Sequence, residues 1–216
     1  MAPLRFRYQT IEFGDTDIHL RTLRDNQQFS DNDDIAANLG ICSAAWPMFG
    51  VVWVSGEVLA HLMSQFSIAG KRILEVGCGI GLASLVLNHR LADITATDHH
   101  PEAGAFLSEN TKLNNGPAIP FVRTGWTDEE SDLGEFDLII GSDLLYEADH
   151  AILLATFINQ HALPRCEVII VDPGRGHSNR FGRQMVELGY EEGGGETVDA
   201  GLLSRPFQGR ILQYSR

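Results

Sequence analysis

The chain has 216 residues, of which 44% are hydrophobic, so it is long enough for one substantial core and too short for two independent domains. Its 16 Lys and Arg side chains oppose 29 Asp and Glu side chains, and the net charge is therefore -13 at pH 7. This charge repels a polyphosphate backbone, which argues against a nucleic-acid partner, and it would attract a basic protein. A charge of this size also serves solubility alone, and that alternative stays open.

The three cysteines indicate a reducing compartment. Cys42, Cys78 and Cys166 are far apart and form no CxxC pair, so the sequence indicates neither a disulfide framework nor a metal site. Residues 1–15 carry no apolar segment behind their basic residues, and no later run approaches the ~20 apolar residues that a membrane span needs. We therefore expect a cytoplasmic protein without a membrane partner, and a monomer as its simplest state.

The N-terminal part is predicted to form a hairpin followed by an acidic loop. Apolar and polar side chains alternate over residues 4–23 on both sides of a Gly-Asp turn, which predicts two antiparallel strands. The acidic run from Asp25 to Asp34 follows. We expect residues 1–45 to be an extension of the same domain, whose main part is residues 46–216.

The chain then alternates helices and strands. Val51, Leu59, Leu62, Met63 and Phe66 recur at three- and four-residue spacings around a Ser-Gly start, which predicts an amphipathic helix. Five apolar runs follow, with helical segments between them: RILEV, DITATD, IPFVR, FDLIIG and CEVIIVD. Continuous apolar strands separated by helices indicate a parallel sheet that is covered on both faces.

The tail departs from this alternation. Two runs, YEEGGGETVDA and FQGRILQYS, follow each other with little room for a helix between them, so we expect them to close the sheet as an antiparallel pair. The predicted fold is an α/β domain. It has a doubly wound, mostly parallel seven-stranded sheet with a C-terminal antiparallel hairpin, and it is preceded by an N-terminal β-hairpin.

A glycine-rich loop joins the first strand of this sheet to the next helix. Gly77, Gly79 and Gly81 form a G-x-G-x-G pattern, with Leu82 where a dinucleotide fingerprint has its third glycine, so the spacing argues against NAD. No Gly-Lys-Ser/Thr follows, which excludes a P-loop. Glu75 precedes the loop, and an acidic side chain there suits a ligand with a positive group. S-adenosylmethionine is such a ligand, because it carries an ammonium and a sulfonium group.

The next strand ends in Asp98, followed by His99 and His100. A carboxylate at this position can accept hydrogen bonds from both ribose hydroxyls of an adenosine, although dinucleotide enzymes use the same position. The alternative, that Glu75 and Asp98 are ordinary caps at strand ends, stays open. The two histidines lack the spacing of metal ligands, so we expect them to be solvated at the start of the following helix.

Several segments together resemble a known family. These are VVWVSGEVLAHL, ILEVGCGIGLASLVL, TATDHHPEA, the Trp of RTGWTD, and FDLIIGSDLLYE. They are similar to class I S-adenosylmethionine-dependent methyltransferases and, within that class, to the small lysine-directed protein methyltransferases marked by a D-x-x-Y motif. The resemblance extends from about Trp53 to Asp172. It implies a methyltransferase domain over residues 46–216, S-adenosyl-L-methionine as cofactor, S-adenosyl-L-homocysteine as product and a protein substrate.

The resemblance also implies roles for individual residues. One group of residues is assigned to the cofactor. Its members line the cofactor pocket, run along the methionine and ribose, hold the ribose hydroxyls or lie beside the adenine. They are Trp53, Glu75, Gly77, Cys78, Gly79, Gly81, Asp98, His99, Trp126 and Ser142. The family commonly has Ala at the position of Ser142. Asp143 and Tyr146 are the catalytic candidates, with Asp143 orienting the acceptor amine and Tyr146 walling its channel. No metal is implied.

Competing interpretations remain for part of this assignment. Trp53 also fits a core anchor, and Tyr146 also fits a residue that packs at the sheet edge. Ligands of open parallel sheets bind at the carboxyl ends of the strands where the strand order reverses, so the glycine loop and residues 142–147 are expected to share one crevice. The segment VDPGRGH at 171–177 lies on the same edge and is expected to be a plain turn. A small-molecule N- or O-methyltransferase and a non-catalytic adenosyl-binding protein are the alternative functions.

Overall fold

The computed structural model describes residues 4–128, 133–194 and 198–216. The strands are β1 Phe6–Phe13, β2 Thr16–Leu23, β3 Arg72–Val76, β4 Asp93–Asp98, β5 Phe121–Arg123, β6 Phe136–Ser142, β7 Ala162–Asp172, β8 Glu191–Glu192 and β9 Arg210–Ser215. The helices are α1 Ile35–Asn38, α2 Val54–Gln65, α3 Leu82–His89, α4 Ala103–Leu113, α5 His150–His161 and α6 Ser178–Glu187, with 3-10 segments at Trp46–Gly50 and Ala200–Leu202.

Seven of the strands form one mixed sheet in the order β5-β4-β3-β6-β7-β9-β8. Strands β3 to β7 are parallel, whereas β9 is antiparallel to both β7 and β8. The strand order therefore reverses between β3 and β6, as the sequence predicts. The seven-stranded sheet with its reversed C-terminal hairpin is confirmed. Its strand β8 is only two residues long, and residues 195–197 of the predicted run lie outside the described residues.

Successive residues of the central strands enter two separate cores. Ile73 packs with α2, α3 and the N-terminal hairpin, whereas Leu74 packs with α5 and α6. This alternation places helices on both faces of the sheet, because neighbouring side chains of a strand point to opposite faces. Among the described residues, no helix is both long and apolar enough to cross a membrane. The cytoplasmic location and the monomeric state stay predictions.

The N-terminal hairpin is confirmed, and its second strand is attached to α4. Strands β1 and β2 pair antiparallel around the turn at Gly14. Asn110 Oδ1 accepts a hydrogen bond from the backbone N–H of Arg21 at 2.7 Å, and Asn114 bonds the backbone N–H and C=O of His19 at 2.8 and 2.7 Å. The apolar face of β2 is buried in the core shared with α2 and α3. The boundary at residues 45/46 stays a prediction.

Helix α2 is buried on more of its surface than the predicted amphipathic pattern implies. It begins at Val54, and every residue from 57 to 63 is buried. The polar side chains on its outer side are covered by the C-terminal part of the chain. Glu57 accepts hydrogen bonds from Ser204 Oγ at 2.6 Å and Ser204 N at 2.8 Å, and His61 Nε2 donates to the Leu202 carbonyl at 3.1 Å. These partners are about 140 residues away, so the pattern within the helix does not reveal them.

Candidate active site

The glycine loop and the loop after β6 meet at the point where the strand order reverses. Gly77 follows β3 with φ 62°, a conformation that favours glycine. A Cβ at this position would collide with the side chain of Leu144. On the other side, a Cβ at Gly79 would lie 2.8 Å from the backbone oxygen of Phe49. The loop thus passes closely between two neighbouring segments, and its first glycine faces the loop that carries Asp143.

The segment over Gly79 contains aromatic residues that sequence reasoning did not single out. The Phe49 ring stacks on His100 at a centroid distance of 3.9 Å and an angle of 16°, and the Trp46 ring meets His100 edge-on at 5.2 Å. His100 is 4% exposed, so the prediction that it is solvated was wrong. Burial lowers the pKa of His100 to about 3, with a smaller contribution from His99, and the stacked ring is therefore neutral. The run WPMFG, with two aromatic side chains beside a proline, is the signal in the sequence.

Asp98 connects the end of β4 to the glycine loop. Its Oδ2 accepts a hydrogen bond from Gly79 N at 2.7 Å, and its Oδ1 accepts one from His100 N at 2.8 Å. Burial raises the pKa of this carboxyl, while the two amides oppose that shift. Because an ionised carboxylate has about four acceptor sites, two backbone amides leave room for further donors. The role toward ribose hydroxyls stays a prediction.

Glu75 is buried and contacts the first turn of α3. Its Oε2 accepts hydrogen bonds from Ser84 N at 2.9 Å and from the Ser84 hydroxyl. The N-cap residue of α3 is Gly81, which has no side chain to cap the helix, so Glu75 supplies the acceptor. Burial raises the pKa of Glu75 to about 7, and the Ser84 hydrogen bonds oppose this shift. These contacts match the capping alternative, and its part in cofactor binding stays a prediction.

Asp143 follows β6 in an unusual backbone conformation and is paired on both oxygens. Its φ is 57°, which is uncommon for a residue other than glycine. Its Oδ1 accepts from Arg175 Nε at 2.6 Å and its Oδ2 accepts from Arg175 Nη2 at 3.0 Å. The Asp143 side chain is 11% exposed and that of Arg175 is 41% exposed. Arg175 comes from the loop after β7, and sequence reasoning, which treated that loop as a plain turn, missed it.

Tyr146 and Trp126 meet through a histidine at the start of α5. The rings of Tyr146 and His150 are 4.4 Å apart and those of Trp126 and His150 are 5.1 Å apart, both edge-on. His150 Nδ1 donates to the Leu144 carbonyl at 2.9 Å, which attaches this cluster to the loop after β6. Tyr146 is 49% exposed. Its pKa is raised first by burial and then by Glu147, Asp98 and Asp143, so it lies near the carboxylates on both sides of the crevice.

The remaining predicted site residues are Trp53, Cys78, His99 and Ser142. Trp53, at the N-cap of α2, donates from Nε1 to the Met48 carbonyl at 2.8 Å. A Cβ at Gly56 would lie 3.6 Å from Ser142 Oγ, so the start of α2 reaches the end of β6. Cys78 is buried and its backbone N–H bonds the carbonyl of the residue before Asp98. His99 is exposed and faces the N-terminal part, where Nε2 donates to the carbonyl of residue 39 at 3.1 Å.

Comparison with known proteins decides the family. A family model described as lysine methyltransferase matches residues 43–186, which is well over half of the chain. The chain belongs to the lysine methyltransferase family. The match begins just before the 3-10 segment over the glycine loop and ends in α6, so it includes both sides of the crevice.

Individual relatives show the same kinship. The electron transfer flavoprotein beta subunit lysine methyltransferase of Mus musculus is 30% identical over 150 residues, which cover 66% of this chain and 57% of the relative. The histone-arginine methyltransferase METTL23 of Xenopus laevis is 29% identical over 125 residues, which cover 54% of this chain and 53% of the relative. The chain thus spans little more than half the length of these relatives.

Solved structures show the same fold. Magnesium protoporphyrin IX methyltransferase from Synechocystis PCC 6803, crystallised with bound S-adenosylmethionine, superposes with a TM-score of 0.58 at 18% identity, covering 73% of this chain and 76% of that chain. S-adenosylmethionine is the cofactor of the family to which the chain belongs. The residues fit it on one observation: Asp98 keeps acceptor capacity beyond the two backbone amides that it bonds.

Proposed function

We propose that the protein is an S-adenosylmethionine-dependent methyltransferase that modifies a lysine side chain of a protein. The observation that carries the proposal is the arrangement of the D-x-x-Y segment. Its two leucines, Leu144 and Leu145, are buried, and Leu144 lies against Gly77. The loop is thereby anchored beside the glycine loop. Within it the carboxylate of Asp143 is 11% exposed and Tyr146 is 49% exposed, and in our proposal both face the acceptor.

The reaction asks little covalent chemistry of the protein. The bound cofactor supplies an electrophilic methyl group, and its transfer forms one N–C bond as one S–C bond breaks. A lysine amine with a pKa of ~10.4 must first lose its proton, which costs about 4–5 kcal/mol at pH 7. In our proposal Asp143 accepts a hydrogen bond from the amine and aims its lone pair, and Tyr146 shields the channel from water. Alignment and a dry site are the main contributions of the protein.

The charge distribution supports a basic protein partner. The net charge is -13, and Asp98, Asp143 and Glu147 all act on the pKa of Tyr146 at the crevice. A cationic substrate surface would be steered toward such a region, and the association rate would fall as salt rises. The name of the mouse relative, a methyltransferase of a flavoprotein subunit, also supports a protein as acceptor.

The hydrogen bonds of the N-terminal hairpin give no support to a small-molecule substrate. That alternative gains support if the hairpin closes the pocket. The observed bonds of β2 are instead with Asn110 and Asn114, near the C-terminal end of α4, whereas the N-terminus of α4 follows the carboxyl end of β4. An arginine acceptor is the second candidate, because the Xenopus relative is named a histone-arginine methyltransferase.

Incubation of a cell lysate with S-adenosylmethionine labelled in its methyl group tests the proposal. We expect label in the protein fraction, and methyllysine after acid hydrolysis. The label should be lost with Asp98→Ala and kept with Asp93→Ala, a matched control at the exposed opposite end of β4. Methylarginine would show that the acceptor is an arginine and not a lysine, and label confined to small molecules would overturn the proposal.

A further inference from the structure

The pairing of Asp143 with Arg175 joins two loops at the acceptor side of the crevice. Asp143 N donates to the Val171 carbonyl at 2.9 Å, and the guanidinium of Arg175 returns to the carboxylate with two bonds. The turn that presents Arg175 is held by Asp172, whose Oδ2 accepts from Gly174 N at 3.2 Å. The carboxylate is therefore fixed by both its backbone and its side chain.

The geometry leaves Asp143 able to bind a further donor. Arg175 uses one acceptor site on each oxygen, and a carboxylate has about four such sites. A two-bond guanidinium contact also sets the plane of the carboxylate, because the guanidinium is planar and its donors are fixed in a fork. An approaching amine thus finds an acceptor of defined orientation.

The carboxylates around the Asp143–Arg175 pair show why the positive charge of Arg175 matters. Asp172 is fully buried, and its Oδ1 has no hydrogen-bond partner among the described residues. Burial raises the pKa of Asp172, and the nearby Asp143 raises it further. Asp98 from the end of β4 and Glu147 from the loop after β6 act on Tyr146 beside the pair, and His150 of α5 packs on Tyr146. A region with this many carboxylates would hold a lysine side chain in its ammonium form.

We propose that Arg175 is a positioning residue of the acceptor site, which orients the Asp143 carboxylate and balances its charge so that the acceptor amine can be held in its uncharged form. The proposal rests on the proposed function. Without Arg175, the bare carboxylate would favour the protonated amine, which has no lone pair for methyl transfer. With Arg175 present, Asp143 can accept a hydrogen bond from the amine, and the Asp143–Arg175 pair carries no net charge.

The geometric part can be tested without a substrate. In the free protein we expect the Arg175 Nε–H to give a nitrogen-15 NMR signal that exchanges slowly with water, because Asp143 accepts this proton. Asp143→Asn should speed that exchange. A signal equally fast in both proteins would show that the pair does not form, and would overturn the inference while leaving the proposed methyl transfer untouched.

The chemical part is tested by rates between about pH 6.5 and about pH 10, with the lysate protein fraction that the unchanged protein labels as acceptor. For Arg175→Gln we expect the rise of kcat with pH, which reports the bound acceptor, to shift upward by about one unit, so that kcat near pH 7 is about tenfold lower and recovers in alkali. The loss should lie in kcat and not in the apparent KM. Arg175→Lys, which keeps the charge, should restore most of the pH profile.

Controls separate this role from a structural one. Arg183→Gln removes the same charge from an exposed position in α6 and should leave the profile unchanged. Cofactor affinity and melting temperature should be the same in all variants. A pH-independent loss in Arg175→Gln, or a faster rate than the unchanged protein at pH 7, would overturn the inference. Absence of lysine labelling by the unchanged protein would instead contradict the proposed function.

Discussion

The two sides of the crevice are held by different kinds of contact. On the glycine-loop side, Asp98 is bonded by the backbone amides of Gly79 and His100, beneath a buried aromatic stack. On the proposed acceptor side, the backbone N–H of Asp143 bonds the Val171 carbonyl, and its carboxylate is bonded by one side chain, that of Arg175, which is 41% exposed. Partly buried contacts such as those of Asp98 are screened less by salt than exposed ion pairs are. On the proposed cofactor side the Asp98 carboxylate is thus oriented by backbone amides, while on the proposed acceptor side the orientation of the Asp143 carboxylate depends on a side-chain contact between two loops.

The change with the largest expected effect is made on the proposed acceptor side alone. Asp143→Ala should lower turnover by about 10- to 1000-fold through misalignment of the acceptor, while the Kd for S-adenosylmethionine stays within about threefold. Turnover and calorimetric titration of the same sample measure both. Asp149→Ala, which removes an exposed carboxylate from the same loop, is the control and should be active. Unchanged turnover would exclude Asp143 from the acceptor site, and lost affinity would move it to the cofactor side.

A second change breaks the cofactor side. Asp98→Ala removes the acceptor of two backbone amides and the proposed partner of the ribose, so the Kd for S-adenosylmethionine and S-adenosylhomocysteine should rise by about 10- to 100-fold, or roughly 1.5–3 kcal/mol. Calorimetric titration is the measurement, with Asp93→Ala as control. Equal affinities in the two variants would remove Asp98 from the cofactor site.

The pattern of apolar runs and turns was enough to predict the sheet, its reversed tail and the N-terminal hairpin. Strand positions are visible because each strand between two helical layers is continuously apolar. The pairing of Asp143 with Arg175 was not visible, since it joins residues 32 positions apart on two polar loops. The burial of His100 was missed for a related reason: its partners Trp46 and Phe49 precede it by about fifty residues, and no periodicity connects them.

A smaller effect concerns the pH dependence of the cofactor side. The pKa of His100 is about 3 in the folded protein against 6.5 in the unfolded chain. The unfolded state therefore binds more protons as the pH falls below 6.5, and the free energy of unfolding decreases by up to about 1.4 kcal/mol per pH unit from this residue. His100→Gln should remove this slope in urea unfolding between pH 7 and pH 4, and His89→Gln, at an exposed position, should keep it.

Glu75 has the opposite effect on the free energy of unfolding over part of the same pH range. Its pKa is raised from 4.5 to about 7, so the folded state binds more protons between these values and becomes more stable as the pH falls from about 7 to about 4.5. The difference between His100→Gln and the unchanged protein isolates the histidine from this contribution. Identical slopes in the two proteins would contradict a neutral, buried His100.

The smallest expected effect concerns the ring of Tyr146. Because the side chain is half exposed, Tyr146→Ala should lower turnover by about tenfold and shift the melting temperature by less than about 2 °C. Tyr146→Phe keeps the ring contact with His150 and should lose less activity. If Tyr146 is only a packing residue, the result is reversed: Tyr146→Ala would lower the melting temperature with little effect on the rate of the folded protein.

The central claim is that S-adenosylmethionine binds at the carboxyl edge between β3 and β6. Nitrogen-15 NMR of the free protein during titration with S-adenosylmethionine tests it most directly. We expect the largest changes at the amides of Gly77, Gly79 and His99, with the Arg175 Nε–H still bonded to Asp143. Changes confined to another edge of the sheet, or none at the glycine loop at saturating ligand, would exclude binding at this edge.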